Sequence, residues 1–443
     1  MLGYYVNLAL RSLRRNWALT VLMVLAIALG IGTSMTTLTV MHLLSGDPLP
    51  GRSDTLFYAQ VDASPAGFTR GEPLDVIDYR SAFDLWSAGR AARQAMLVES
   101  AVKLRAPDTR LPPLMTSMLS TTGDFFPMFD VPFRYGGPWS AQDGEKRARV
   151  AVISADLNRK LFGGGNSVGH QLQVRGASVR IVGVLDDWRP SPLFYTVAGG
   201  NFAQGDTGDF YGKPHDVITP FFTGLEINDG NFQQFTCWGM PETPGHLQDS
   251  PCAWVRLWVQ LDDAASVAAY RRFLVDYAAQ QKAMGRFARS DNTRLRSLMQ
   301  WLDYNHVVPS DVRLQTWLAF SFLGICLFNT VGLLLAKFLR RSGEIGVRRA
   351  LGASRAAVFA QCLVEAGMVG LIGGFAGWLL TLGGLWLVRR QPAAYADLAH
   401  LNLPMFAVTF VLAVAVSLLA GVLPALRASQ VAPGLQIKTL GGA

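Results

Sequence analysis

"NWALTVLMVLAIALGIGTSMTTLTVMHLLSG" (Asn16–Gly46) holds no Asp, Glu, Lys or Arg over 31 residues. A bilayer core needs roughly 20 apolar residues of helix, so the stretch reads as a membrane span. Three later runs share its character. Leu314–Ala336 is uncharged over 23 residues, Leu398–Leu426 over 29, and Ala356–Val388 carries one charge, Glu365, in 33. The predicted transmembrane helices cover 17–45, 314–338, 356–388 and 405–426. The first run is too long for the apolar part of a signal peptide, and "LLSGDPLPG" after it has no small-x-small cleavage site.

Basic residues set the expected orientation. Lys and Arg number 3 in 1–16, 6 in 337–355 and 2 in 427–443, against 2 in 389–404. The positive-inside rule places the first three segments in the cytoplasm. Residues 45–313 and the short loop 389–404 then lie outside, on the extracytoplasmic side. The 269 residues of 45–313 are long enough for one or two folded domains. They carry 27 basic and 29 acidic side chains, a net of −2, while the rest carries 13 and 3, a net of +10. The formal charge of +8 is therefore a product of topology, and with no basic excess on the exported part, nucleic-acid binding is a poor reading.

The chain is expected to be an α-helical membrane protein of four transmembrane helices, with a large α/β extracytoplasmic domain of two subdomains between helices one and two. "TLFYAQV" (Thr55–Val61) reads as a strand, followed by a helix near Leu74–Trp86 with Pro73 at its first turn. "WVRLWVQL" (Trp254–Leu261) is a second strand, and Asp262–Gln280 a helix with an acidic start. These two units, at opposite ends of the region, should pack together as a membrane-proximal subdomain, about 46–110 and 253–313. A distal subdomain, about 111–252, is inserted between them. In it "VAVI" is a strand, Ser154 caps a helix to about Phe162, and "QLQVR" and "SVRIVGVL" are strands joined at Gly176–Ala177. Ser191–Ser250 is crowded with Gly, Pro, Asp, Asn and aromatic residues and reads as long loops. Cys237 lies there and Cys252 two residues beyond it, in an oxidising compartment. Their natural pairing is a disulfide closing a loop of the distal region, worth about 3 kcal/mol, although two free thiols would satisfy the sequence as well. Cys326 and Cys362 fall in spans two and three and read as apolar filler.

No catalytic set emerges. "GNSVG" (Gly165–Gly169) matches a nucleophile elbow, but that motif needs a strand before Ser167 and a helix after it, and the expected order is the reverse. No G-x-x-x-x-G-K-[S/T] occurs, so this chain should not bind ATP by itself. The six histidines show no zinc spacing, and no metal site is expected. Residues 1–16 suggest an interfacial helix with Val6, Leu10, Leu13 and Trp17 on one face and Asn7, Arg11 and Arg14 on another; a merely basic flank fits too. Glu365 either pairs with cytoplasmic arginines or serves transport. Gly370 with Gly374, and Gly373 with Gly377, form G-x-x-x-G pairs that admit a close helix, in a dimer or within one chain.

The loop between spans two and three is the most specific segment. "RRSGEIGVRRALGASR" runs from Arg340 to Arg355, and its middle has helical spacing. Glu344 and Arg348 form an i,i+4 pair in the favoured orientation, Ile345, Val347 and Leu351 are apolar, and Gly352 suits a helix end. "EIGVRRALGASR" (Glu344–Arg355) resembles the cytoplasmic loop of the FtsX/MacB-type permeases of ABC transporters. The order of one span, a large domain and three spans agrees, and Leu119–Asp143 with the segment through Val184 resembles the distal part of their periplasmic regions.

The resemblance implies a non-catalytic permease without a fused ATPase, dimeric with a second permease, identical or not, and embedded in membrane lipid. It implies separate ABC ATPase subunits that hold the ATP and Mg, this chain binding no cofactor itself. It implies mechanotransmission, in which nucleotide-driven closure of the ATPases moves the periplasmic domains and drives efflux through a periplasmic adaptor and an outer-membrane channel. An FtsX-like scaffold controlling an extracytoplasmic partner such as a cell-wall hydrolase, or a lipoprotein-extraction permease, is the alternative. The expected coupling element is a short helix over Glu344–Leu351, with Arg348 and Arg349 facing the partner, Ile345 and Val347 as apolar contacts, Arg340, Arg341, Leu351 and Arg355 as further coupling residues, and Gly352, Ala353 and Ser354 turning the chain into span three. A basic anchor on lipid headgroups is the other use of such a loop.

Overall fold

The computed structural model describes residues 2–69, 71–105, 112–201, 208–228, 231–241, 243, 246–392, 394–400 and 403–429. Most of the tail expected over 427–443 lies outside the described residues, as does the side chain of Val6. The chain divides into two compact units, one of residues 1–45 and 308–443 and one of residues 46–307.

Four helices of the first unit are long and apolar enough to cross a membrane: Trp17–Ser45, Ser310–Arg340, Arg355–Val388 and Leu403–Ser429. The first coincides with its predicted span, the third exceeds its own by one residue, and the second and fourth overrun theirs at both ends, because helices continue into the flanks as long as backbone hydrogen bonds are made. Their shared core joins Ile27, Ile31 and Met35 of span one, Leu323 and Leu334 of span two, Ala366 and Val369 of span three, and Val416 and Ala420 of span four. Cys326 and Cys362 are free and buried within it. A separate helix, Leu2–Arg15, precedes span one. Its inward residues are Ala9, Ser12 and Leu13, whereas Leu10 and Trp17 are exposed, so the expected apolar face is split.

The second unit is built on one sheet. Its strands are β1 (Leu56–Gln60), β2 (Ile77–Asp78), β3 (Arg93–Arg105), β4 (Leu114–Thr121), β5 (Phe133–Gly136), β6 (Val150–Ile153), β7 (Gln171–Val174), β8 (Ala177–Leu185), β9 (Val217–Pro220), β10 (Thr236–Cys237), β11 (Cys252–Gln260) and β12 (Arg294–Ser297). The main order is β12-β1-β11-β3-β4-β9-β6-β8-β5. β1 and β11, from opposite ends of the region, lie side by side antiparallel, with Leu56 opposite Gln260. The 13-residue β3 pairs with β11 at its start and with β4 along its length. One apolar core, around Phe57, Trp254 and Leu257, serves the β1–β11 side; another, around Val102, Ile153, Leu172 and Ile181, serves the β6–β8 side. The two expected subdomains thus share a continuous sheet.

Local signals act as side-chain chemistry requires. Ser154 accepts the Leu157 N–H and starts the helix Ala155–Phe162, and Asp263 with Ser266 forms a capping box on Ala264–Ala283. Pro73, expected inside a helix, lies outside it; the helix is Tyr79–Ser87, capped by Asp78, which accepts the Ser81 N–H. The hairpin between β7 and β8 turns at Arg175 and Gly176, both at positive φ, and Ala177 is already in the strand.

The largest departure falls in Ser191–Ser250. It was expected to be loops, yet β9 and the helix Phe221–Asn228 sit inside it, and β9 occupies the middle of the sheet between β4 and β6. Its aromatics are core residues: Phe194 and Tyr195 are buried against Phe129 and Trp258. Cys237 and Cys252 are joined in a disulfide across directly opposed positions of β10 and β11. Because Cys252 opens β11, the bridge ties the end of this segment to the β1–β11 side rather than closing a loop of the distal half.

Candidate functional site

The loop helix runs Ser342–Ala350, with Leu351 at its C-cap. Gly352 follows at φ +101, a conformation glycine alone adopts without strain, and Ala353 N–H returns to the Arg348 carbonyl. Ser354 then caps span three by accepting the Ala357 N–H at 3.1 Å. This two-residue reversal makes the short helix and span three successive rigid pieces.

The helix has an inner and an outer side. Gly346 is buried, and Ile345 packs against the core of the four spans. Ile345, expected to contact a partner, is partly buried against the spans. Val347 is 53% exposed and Leu351 83% exposed, on one side of the helix, four residues apart. Arg340 and Arg355, at the two ends of the loop, are exposed as well.

Between the helix and the spans lies an ionic network that the sequence expectations covered only in part. Glu365, in span three, is 2% exposed, and the Lys337 ammonium of span two, fully buried, lies 2.6 Å from its Oε1. Ser12 of the N-terminal helix donates to the same carboxylate. Arg341 Nη1 donates to Ser12 Oγ at 2.6 Å and lies 3.4 Å from Glu365 Oε2. The same guanidinium reaches Glu344 through Nε at 3.2 Å and Nη2 at 3.1 Å. Arg348 Nη2 donates to Glu344 Oε1 at 3.0 Å and its Nη1 to Gln361 Oε1 at 3.1 Å. Arg348, expected to face a partner, and Arg341, expected in the coupling set, are thus turned inward. Arg349 Nη1 reaches the Ser429 carbonyl at 3.4 Å.

The result is a relay of charges that links the loop helix to the N-terminal helix, span two and span three. Buried ions of this kind persist only when paired and hydrogen-bonded. Glu365 was read as a partner of cytoplasmic arginines or a transport group. Arg341 fits the first alternative; Lys337, Ser12 and Gln361 were missed. One signal was available, since Lys337 and Arg341 stand i,i+4 on the helix that enters the loop.

The glycines of span three face span one of the same chain. A Cβ at Gly373 would come within 2.8 Å of Ile27 Cγ2, and one at Gly377 within 3.1 Å of Ile31 Cβ. Gly370 and Gly374 are also buried. Gly373→Val is therefore expected to lower stability by about 1–3 kcal/mol through overpacking, read as a fall in the thermal midpoint of the solubilised protein. Ile27→Ala should restore part of the loss, and Gly383→Ala, where nothing lies within 4 Å, should change little. An unchanged midpoint for Gly373→Val would mean the two helices are not in this contact.

Other expected features are structural. Ser167 is buried and donates to Asn158 Oδ1 at 2.7 Å, after a helix and before a strand, so it is not an elbow nucleophile. In the second unit, Arg256 Nη2 lies 2.7 Å from Glu99 Oε2, and His215 Nε2 3.0 Å from Glu99 Oε1. Burial pushes the Glu99 carboxyl up, but Arg256 and His215 outweigh it and hold it below its ordinary value.

A family model described as a MacB-like periplasmic core domain matches residues 20–276, and one described as an FtsX-like permease C-terminal matches residues 317–433. The macrolide export ATP-binding/permease protein MacB of Rhodopirellula baltica is 24% identical over 449 residues, covering 97% of this chain and 61% of that protein. The pyoverdine export ATP-binding/permease protein PvdT of Pseudomonas aeruginosa is 23% identical over 70% of this chain and 40% of its own length. The uncharacterized ABC transporter permease YvrN of Bacillus subtilis is 20% identical, over 70% of this chain and 67% of its own. The chain spans 61%, 39% and 41% of three MacB relatives. Among solved structures, the periplasmic region of MacB from Actinobacillus actinomycetemcomitans aligns at 10% identity and a TM-score of 0.37, over 57% of this chain and 94% of that one.

Proposed function

Because this chain belongs to the FtsX/MacB-type permeases of ABC transporters, we propose that it is the permease subunit of a MacB-like transporter whose ATP is hydrolysed on separate ATPase subunits. In this reading both termini and the loop helix are cytoplasmic, and the 46–307 unit is periplasmic. The permease works as a dimer with a second permease. ATP and Mg sit on the partner ATPases, and the output is efflux through a periplasmic adaptor and an outer-membrane channel.

The observation that carries the reading is the relay from Glu344 to Glu365. A loop that only connected two spans would have no need to bond to three other helices at once. Val347, Ala350 and Leu351 offer an outward surface to an ATPase groove, while Arg341, Glu344 and Arg348 bind the same helix to the spans behind it. When ATP binding draws the ATPases together, a displaced loop helix has to move Lys337 and Glu365 with it, because separating those buried charges costs several kcal/mol. Spans one and two, which flank the 46–307 unit in sequence, then carry the displacement to it.

Purified alone, the 443-residue chain is expected to hydrolyse no ATP, in keeping with the lack of a Walker A lysine. Hydrolysis that stays with the chain after every partner is removed would overturn the assignment. Co-purification from native membranes tests the output: an ATPase with an adaptor and an outer-membrane channel supports efflux, whereas an ATPase with a cell-wall hydrolase would replace efflux with a scaffold role.

A further inference from the structure

The 46–307 unit contains a cavity of about 200 Å³ that none of the transport features uses. Its walls are aromatic. Trp86 meets Phe222 edge to face with ring centroids 6.1 Å apart, and Trp139 is held in place by Phe126 at 4.8 Å. Two polar groups stand in its wall. Thr121 lines the cavity fully buried, and its Oγ1 has no hydrogen-bond partner among the described residues. Trp139 Nε1 lies 3.8 Å from where a Cβ would stand on Gly123 or on Gly144, so the lack of side chains at both glycines leaves that N–H uncovered.

The charge at the cavity is one-sided. Asp124 and Glu145 both line it, and neither is in an ion pair among the described residues. One guanidinium, that of Arg147, lies 5.9 Å from the Phe222 ring centroid and is already matched by Glu226 at 2.8 Å. Aromatic faces with unpaired carboxylates attract an organic cation, through the ring quadrupoles and through Coulomb attraction. A cavity of roughly 150 Å³ holds benzene, so this one has room for a single ring and a short alkylammonium arm, and none for a macrocyclic compound.

We propose that the cavity between Trp86, Trp139 and Phe222 is a binding site for a small aryl-alkylammonium cation. In it the ring lies against the aromatic walls, the ammonium meets Asp124 and Glu145, and Trp139 Nε1 serves a polar substituent. The site stands whether or not the chain drives efflux.

The test uses the full chain in lipid nanodiscs, titrated calorimetrically with phenethylammonium, phenylethanol and phenylpropionate, with empty nanodiscs subtracted. The cation is expected to bind about tenfold more tightly than the neutral alcohol, the gain that a cation–π contact and two carboxylates supply together. The anion should show no binding. Glu145→Gln, an exposed position, should weaken the cation about fivefold at an unchanged thermal midpoint. Gly144→Leu should abolish binding by filling the space beside Trp139. Equal affinities for cation and alcohol, no binding of the cation at millimolar concentration, or cation binding untouched by both variants would overturn the proposal.

Discussion

Replacing Glu365 with leucine is expected to lower the stability of the membrane unit by about 3–5 kcal/mol, the cost of leaving a buried charge without its partner. Lys337 is fully buried and 2.6 Å from the carboxylate, and Arg341 and Ser12 also converge on it. The measurement is the thermal midpoint of the solubilised protein, with partner-dependent ATP turnover recorded in parallel. The pair Lys337→Met with Glu365→Leu separates two roles of the network. Apolar replacement of a whole buried ion pair is often neutral or stabilising, so the double variant should recover most of the lost stability. If the network also transmits movement, the double variant should stay deficient in turnover coupled to the 46–307 unit. A Glu365→Leu protein as stable as the parent would mean that the carboxylate does not hold these helices together.

Most of the architecture was legible because its signals are long. Four long apolar runs, three of them uncharged, and a basic bias between them need no tertiary information, since lipid permits few alternatives. The strand–helix units at Leu56 and Cys252 were legible for the same reason, having β-branched and aromatic runs ended by capping residues. β9 was not. "VITP" is four residues ending in proline, too short to show alternation, and it becomes a central strand only because β4 and β6 supply partners on both sides. The aromatic residues around Phe194 read as irregular because they fill a core without belonging to a periodic element.

The candidate site shows the same division. Helix, glycine stop and serine cap over 342–354 follow from local chemistry. The side that each residue faces does not. Ile345 and Val347 are equally apolar and two positions apart, yet one is packed against the spans and the other exposed. Arg348 was expected outside because arginines at a membrane surface usually are, but Glu344 and Gln361 are both within reach of its fork. Lys337 lay at the edge of an apolar run, where a lysine ordinarily extends to the interface; only the carboxylate from span three, 28 residues on, makes its burial tolerable.

These orientations decide how the coupling surface should be tested. Val347→Asp with Leu351→Asp is expected to leave a folded, inserted permease that no longer retains its ATPase. The two side chains point away from the spans, so a change there should leave the thermal midpoint nearly unaltered. Central apolar contacts of an interface are worth about 2 kcal/mol each, or roughly thirtyfold in affinity per residue. Losing both amounts to loss of the complex in a pull-down at micromolar concentration. Glu344→Lys should behave differently. It sets a third cation beside Arg341 and Arg348, so loss of coupling should come with a lower midpoint. Arg348→Lys is a finer probe, because a lysine cannot bridge Glu344 and Gln361 with one planar fork; association should survive and turnover fall. A loop helix that merely anchored on lipid headgroups would tolerate Leu351→Asp in the assembled complex and respond to Arg340→Glu or Arg355→Glu through altered membrane insertion alone. Normal ATPase association in Val347→Asp with Leu351→Asp, together with normal turnover in Glu344→Lys, would remove this helix from the path between nucleotide and periplasm.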